Sequence, residues 1–133
     1  MKKFLFLTVA FFFAAVFAEA QDLQRMSTQT TMQKVMLDEG FKIIKDELKD
    51  GVRYVVAQPS EKVCSKQIDI EIKDGIIQKV VYTRGCEGNA KGIGALIKDM
   101  TVEEAIKRLE GITCGKRGTS CPDQLAQVLK AIR

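Results

Sequence analysis

The chain has 133 residues, a formal charge of +4 at neutral pH, four cysteines, and neither histidine nor tryptophan. Its lysines alternate with acidic residues through 42–50 and 98–110, which is typical of a solvated surface. No basic stripe with interleaved aromatic residues is present, so we expect no nucleic-acid binding. The length suits one small domain and excludes a large catalytic barrel.

The N-terminus has the layout of a secretory signal peptide. Two lysines are followed by a largely apolar run at residues 4–17, and Ala18-Glu-Ala20 supplies the small residues of a cleavage site. The apolar run is shorter than the ~20 residues of a membrane-spanning helix. We predict that residues 1–20 are removed and that the protein is exported, to the bacterial periplasm, with no membrane attachment after cleavage. An uncleaved membrane tether is the alternative.

A polar segment and then a series of strands follow. Residues 21–40, rich in Gln, Ser, Thr and Met, are predicted to form a linker ahead of a folded domain at 41–133. Alternating apolar and polar residues predict four strands: 41–44, 52–56, 67–73 and 76–83. Asp-Gly pairs at 50–51 and 74–75 each join two strands. They predict hairpins because both residues of such a turn adopt positive φ.

Beyond Cys86 the apolar period changes from two to 3.6 residues. Thr101 and Ser120 each begin a segment with capping-box spacing, and Gly111 ends the second helical segment. The apolar faces of three predicted helices are Ile93, Leu96, Ile97 and Met100; Val102, Ala105, Ile106 and Leu109; and Leu125, Val128, Leu129 and Ile132. The order of elements predicts an α+β fold, an antiparallel sheet of two hairpins with about three helices on one face.

The cysteines lie at the boundaries of these elements. Cys86 follows a strand and precedes a helix, and Cys121 lies in the first turn of the last helix. Amides at a helix N-terminus stabilise negative charge, so both positions favour thiolate, the form that binds metals. Cys64 lies in the connection into the second hairpin. The glycines around Cys86 indicate either close approach to a bound group or tight turning and helix packing.

Residues 119–123 read Thr-Ser-Cys-Pro-Asp. Together with residues from about 54 to 131, they resemble the TSCPD domain, in particular its small four-cysteine subfamily. That domain also forms a C-terminal part of adenosylcobalamin-dependent ribonucleotide reductases. The resemblance implies an accessory or redox role, delivering electrons or metal to such an enzyme (a ribonucleoside-diphosphate reductase). Catalysis by this chain alone is not expected, because it has no histidine to act as a base for a thiolate nucleophile.

The order of cysteines, hairpin and helices also resembles the U-type iron–sulfur scaffold proteins. In that family three cysteines converge on one metal or cluster site. The resemblance implies that the corresponding residues meet in space: Cys64, Cys86 and Cys121. The chain departs from the family pattern at Lys66, where the scaffold has aspartate, and at Ser120, where it has histidine. Cys114 is an additional cysteine.

Two interpretations of the cysteines remain open from the sequence. The first is a metal site, since four thiolates suit the tetrahedral preference of zinc and can also hold an iron–sulfur cluster. Its predicted ligands are Cys64, Cys86, Cys114 and Cys121. The second is a disulfide-stabilised structural or interaction domain, with Cys114–Cys121 and Cys64–Cys86 as the most natural pairing. The sequence names no substrate, metal or partner protein.

Overall fold

A computed structural model describes residues 40–133. The predicted signal peptide at 1–20, and the predicted linker except its last residue, lie outside the described residues. The described part contains strands β1 (Lys42–Lys49), β2 (Val52–Gln58), β3 (Gln67–Lys73) and β4 (Ile76–Thr83), followed by helices α1 (Glu87–Ile97), α2 (Val102–Leu109) and α3 (Cys121–Ile132). Within 40–133, no helix has the length and apolar character needed to span a bilayer.

The four strands form one antiparallel sheet in the order β1-β2-β3-β4. Asp50, Gly51, Asp74 and Gly75 all have positive φ, at 52°, 76°, 51° and 75°, so both predicted hairpin turns are confirmed. The first strand is longer than its apolar pattern indicated, because pairing with β2 continues to Lys49. The β1–β2 register shifts near Ile43, which leaves the next residue, Ile44, exposed.

The core lies between one face of the sheet and the helices. Alternate residues of β2 and β3 are buried, as period-two strands with one covered face require. In β4 the buried residues Ile77 and Val80 are three apart, because the β3–β4 register shifts between them. The sheet contributes Val55, Ala57, Ile68, Ile70, Ile72, Ile77 and Val80, and α3 contributes Leu125, Ala126, Val128, Leu129 and Ile132. The predicted α+β fold is therefore confirmed.

Helix α1 lies very close to β4, and one glycine allows it. A Cβ atom on Gly94 would lie 2.7 Å from the backbone oxygen of Val80, so any other residue would push the helix away. Only a narrow stripe of α1 reaches the core, with Ile97 buried and Ile93 partly buried. Leu96, predicted to share that face, is 74% exposed. Because Cys86 is the N-cap of α1, the position of this helix also sets the position of Cys86.

Candidate functional site: a pocket lined by four cysteines

All four cysteines line one pocket of about 450 Å³. It lies at the end of the sheet where β4 ends and β3 begins, beside the N-termini of α1 and α3. Cys121 is the first residue of α3 and Cys86 precedes α1, as the sequence predicted. The topology thus gathers residues that are far apart along the chain.

The four cysteines differ in exposure, and none of them is in a disulfide. Cys64, Cys86 and Cys114 are exposed, and Cys121 is partly buried. All four are free in this structure, so the two disulfides of the alternative interpretation are not formed here.

Two polar side chains donate hydrogen bonds to the sulfurs. The Ser65 hydroxyl, 1% exposed, donates to Cys121 Sγ at 3.2 Å. The Arg117 guanidinium donates from Nη1 to Cys64 Sγ at 3.1 Å. Gly85, at φ +94°, helps to place Ser65, because a Cβ there would lie 3.4 Å from the Ser65 nitrogen. The Cys64–Ser65 backbone can therefore lie directly against the residue that precedes Cys86.

The electrostatics of the pocket reflect these contacts. The hydrogen bond to Cys64 raises the pKa of the Arg117 guanidinium above its ordinary value, and negative charge on Cys64, Cys114 and Cys121 adds to the effect. Burial raises the pKa of the Tyr82 phenol, with a further contribution from charge on Cys121. The phenol donates to the backbone oxygen of Cys121 at 3.4 Å. Arg117 therefore stays cationic and Tyr82 neutral at physiological pH.

The Thr-Ser-Cys-Pro-Asp segment closes the loop that carries Cys114. The Asp123 carboxylate accepts from the backbone N–H of Gly111 and from the Thr119 hydroxyl, both at 2.7 Å. Ser120 Oγ accepts from the Asp123 nitrogen at 3.2 Å, as its predicted capping role requires, and its hydroxyl donates to the Ile112 oxygen at 2.5 Å. The motif thus fixes both ends of the loop as well as the helix start.

Gln124 connects this loop to the segment before Cys64. Its side chain is 2% exposed. Its Oε1 accepts from the backbone nitrogen of Ser60 at 2.8 Å, and its Nε2 donates to Thr119 Oγ1 at 3.2 Å. Sequence reasoning missed this residue, and also Ser65, Tyr82 and Arg117. No local sequence pattern predicts that a glutamine directly after the motif will be buried and join two distant segments.

The rest of the pocket wall is cationic and apolar. Arg84 and Arg117 are its charged residues, and none of the residues that line it within 40–133 is acidic. The apolar part of the wall consists of Val63, Ala90, Ile93, Leu96, Ile112 and Pro122. Among the described residues, thiolates are therefore the only anionic groups that this wall can supply.

The cysteines have the chemistry of the predicted metal centre but not its arrangement. Within residues 40–133, no three Cys, Asp or Glu side chains already stand in a metal-binding arrangement. The donors are nonetheless of the right kind, because sulfur ligands without carboxylates suit zinc and iron–sulfur clusters. Three of the thiols are exposed, and an exposed cysteine can exchange between staggered rotamers. Binding by all four sulfurs would therefore require these side chains to rearrange.

Comparison with known proteins identifies the family. No curated protein and no solved structure matches the chain significantly. The family model of the TSCPD domain matches residues 26–133, a range that includes every strand and helix described above and all four cysteines. The chain therefore belongs to the TSCPD domain family.

Proposed function

We propose that this domain binds a metal centre, an iron–sulfur cluster or zinc, through its four cysteines. The proposed ligands are Cys64, Cys86, Cys114 and Cys121. One observation carries the proposal: all four line a single cavity in which, among residues 40–133, the other charged residues are arginines.

The charges of the wall support this proposal. Four thiolates around one divalent ion leave two negative charges uncompensated, and iron–sulfur clusters held by four thiolates are also anionic. Arg84 and Arg117 offer two positive charges at the same wall. Such compensation is worth more in a partly enclosed site than in bulk water.

The cavity has room for either a zinc ion or an iron–sulfur cluster, so its size is compatible with both. Zinc bonds each thiolate at about 2.3 Å, so four sulfurs around it lie nearly in contact. A cluster places several iron and sulfide atoms between its cysteines, and a cavity of about 450 Å³ has room for them. A bound cluster would supply one-electron transfer, whereas zinc would supply a structural cross-link.

Two side chains are suited to adjust such a centre. Ser65 donates to the sulfur of Cys121 and Arg117 to that of Cys64. Hydrogen bonds to ligand sulfurs tune the potential of iron–sulfur centres, and groups beyond the direct ligands orient those ligands. Both residues therefore belong to the proposed site.

Metal analysis tests the proposal. The protein is purified anaerobically without chelators, and iron, sulfide and zinc are quantified together with the visible absorption spectrum. We expect either iron with charge-transfer absorption or close to one zinc per chain, and we expect Cys86→Ser to release it. Thr113→Ser is the matched control, because Thr113 lines the same pocket without a thiol.

Two outcomes would contradict the proposal. Metal could stay fully bound in Cys86→Ser, or the wild-type protein could take up neither zinc nor a reconstituted cluster.

A redox-labile cysteine pair is the second candidate. It is favoured by Arg117, whose guanidinium contacts the exposed Cys64, because reactive thiols occur in electropositive and partly exposed surroundings. Thiols are counted in denaturant without reductant. Four free thiols support the metal site, two support one redox pair, and none supports two structural disulfides.

A further inference from the structure

A second groove lies beside the thiol pocket. It is lined by Glu61, Lys62, Val63, Cys64, Lys66 and Arg117. Three of these residues, Val63, Cys64 and Arg117, also line the thiol pocket. A molecule in this groove would therefore lie directly against one of the four cysteines.

The groove carries an excess of positive charge. It has three cationic residues and a single acidic one, Glu61. Within residues 40–133, the salt bridges of the structure involve other lysines and arginines, and none involves Lys62, Lys66 or Arg117. A cluster of like charges attracts an anionic partner and speeds its association.

Two exposed apolar side chains line the adjoining thiol pocket. Leu96 is 74% exposed and Ile112 is 43% exposed, and both line the thiol pocket. Leu96 belongs to α1 but is not part of the stripe of that helix that reaches the core. Exposed apolar groups next to an excess of positive charge are the composition of a protein interaction surface.

We propose that this face, defined by Lys62, Lys66, Leu96, Ile112 and Arg117, docks an acidic segment of a partner protein. Carboxylates of the segment pair with Lys62 and Lys66 beside Arg117, and an apolar side chain contacts Leu96 and Ile112. The open groove and its long, exposed side chains suit a polypeptide with several carboxylates better than one small enclosed anion. Docking brings the partner to Cys64, the residue shared by both cavities.

Peptide binding tests this surface. The probe is a fluorescent synthetic peptide in which glutamates flank two leucines, followed by anisotropy at low and at physiological salt. Two comparison peptides carry lysines for the glutamates or serines for the leucines. We expect the acidic leucine peptide to bind at least about tenfold more tightly than either comparison peptide, and its affinity to fall as salt increases.

Variants locate the binding on the protein. The double variant Lys62→Glu/Lys66→Glu should bind the acidic peptide at least about tenfold more weakly than wild type. Leu96→Ser should weaken peptide binding by a smaller factor of about three. Lys107→Glu and Leu48→Ser are matched controls, because Lys107 is exposed on α2 and Leu48 is 76% exposed on β1. Both should bind the probe like wild type. All variants keep four cysteines, and each is measured with and without metal, so the result does not depend on the proposed metal site.

Several outcomes would overturn the proposal. Equal binding of the lysine peptide would remove the role of charge, and equal binding of the serine peptide would remove that of the apolar contact. Equal losses in the control variants would show that the probe binds elsewhere. Tighter binding of an RNA oligonucleotide than of the acidic peptide would assign the face to nucleic acid.

Discussion

The core and the thiol end of this domain are built by different means. The core consists of apolar side chains on regular elements, with Ile68, Ile70 and Leu129 almost completely buried. At the thiol end, three exposed cysteines lie at loops and helix starts. There the chain is held by hydrogen bonds that buried polar side chains, such as those of Asp123 and Gln124, accept from distant segments.

This difference implies that the core sets the overall stability of the fold, whereas the thiol end sets the positions of the loops that carry the cysteines. Apolar burial is roughly proportional to area and does not depend on direction, so it stabilises the fold without fixing a loop precisely in space. Hydrogen bonds are directional, and a buried polar group left without its partner is costly. We therefore expect core substitutions to change overall stability, and substitutions at the thiol end to change local order around the cysteines.

The largest effect is expected in the core. Leu129→Ala should lower the free energy of unfolding by about 3–4 kcal/mol, because Leu129 is 0% exposed and its removal leaves a cavity. Leu48→Ala, at a position that is 76% exposed, should cost less than about 0.5 kcal/mol. Urea unfolding of both variants measures the difference. Similar midpoints for the two variants would contradict the assigned core.

A smaller, local effect is expected for Asp123→Ala. Two hydrogen bonds to its carboxylate are lost, which should cost about 2–3 kcal/mol. Amide hydrogen exchange should accelerate in the loop at 111–119 while the strands keep their relative protection. Glu103→Ala, which removes an exposed acidic residue from the first turn of α2, is the control. Uniform acceleration across sheet and loop would show that Asp123 acts through the whole fold instead.

The contact between α1 and the sheet can be tested with two glycines of the same helix. Gly94→Ala should destabilise the protein by about 1–3 kcal/mol, because its Cβ would meet the Val80 oxygen. Gly92→Ala meets no atom within 4 Å and should instead stabilise by up to ~1 kcal/mol through helix propensity. Thermal unfolding of both variants provides the comparison. The same sign of change for both would refute the close packing at Gly94.

The smallest effect is a pH dependence from Tyr82. Burial raises the pKa of its phenol in the folded state above the pKa of about 10 that the phenol has in the unfolded chain. The contribution of Tyr82 to stability is therefore complete below pH ~10 and is lost as the pH rises above that value. The free energy of unfolding should fall above that pH more steeply in wild type than in Tyr82→Phe. Urea unfolding at a series of pH values measures this, and parallel curves would contradict it. In Tyr54→Phe, where Tyr82 is the remaining tyrosine, phenolate absorption should appear only above the ordinary range.

Much of the fold could be predicted because its signals are local. The Asp-Gly turns and the alternation of β3 specify the hairpins within a few residues of chain. Helical periodicity placed α2 and α3, and Ser120 was identified as a cap from its spacing to Asp123. The presence of the cysteines at element boundaries also indicated where the site would lie.

The remaining features of the site depend on contacts between distant segments. Ser65 and Cys121 are 56 residues apart, Cys64 and Arg117 are 53 apart, and Ser60 and Gln124 are 64 apart. A local pattern cannot reveal which serine or arginine will meet a given sulfur. The prediction for Leu96 was wrong for a related reason: its helical spacing fits the core face, but only a narrow stripe of α1 reaches the core, and Leu96 is exposed in the pocket wall.

The central claim is that the four cysteines act as one site, and differential alkylation tests it most directly. The reduced protein is labelled anaerobically before and after addition of zinc or reconstitution with iron and sulfide, and each cysteine is quantified by mass spectrometry. We predict that Cys64, Cys86, Cys114 and Cys121 become protected together, and that replacing any one with serine weakens protection of the other three. Alkylation of the four at unchanged or independent rates would contradict the account.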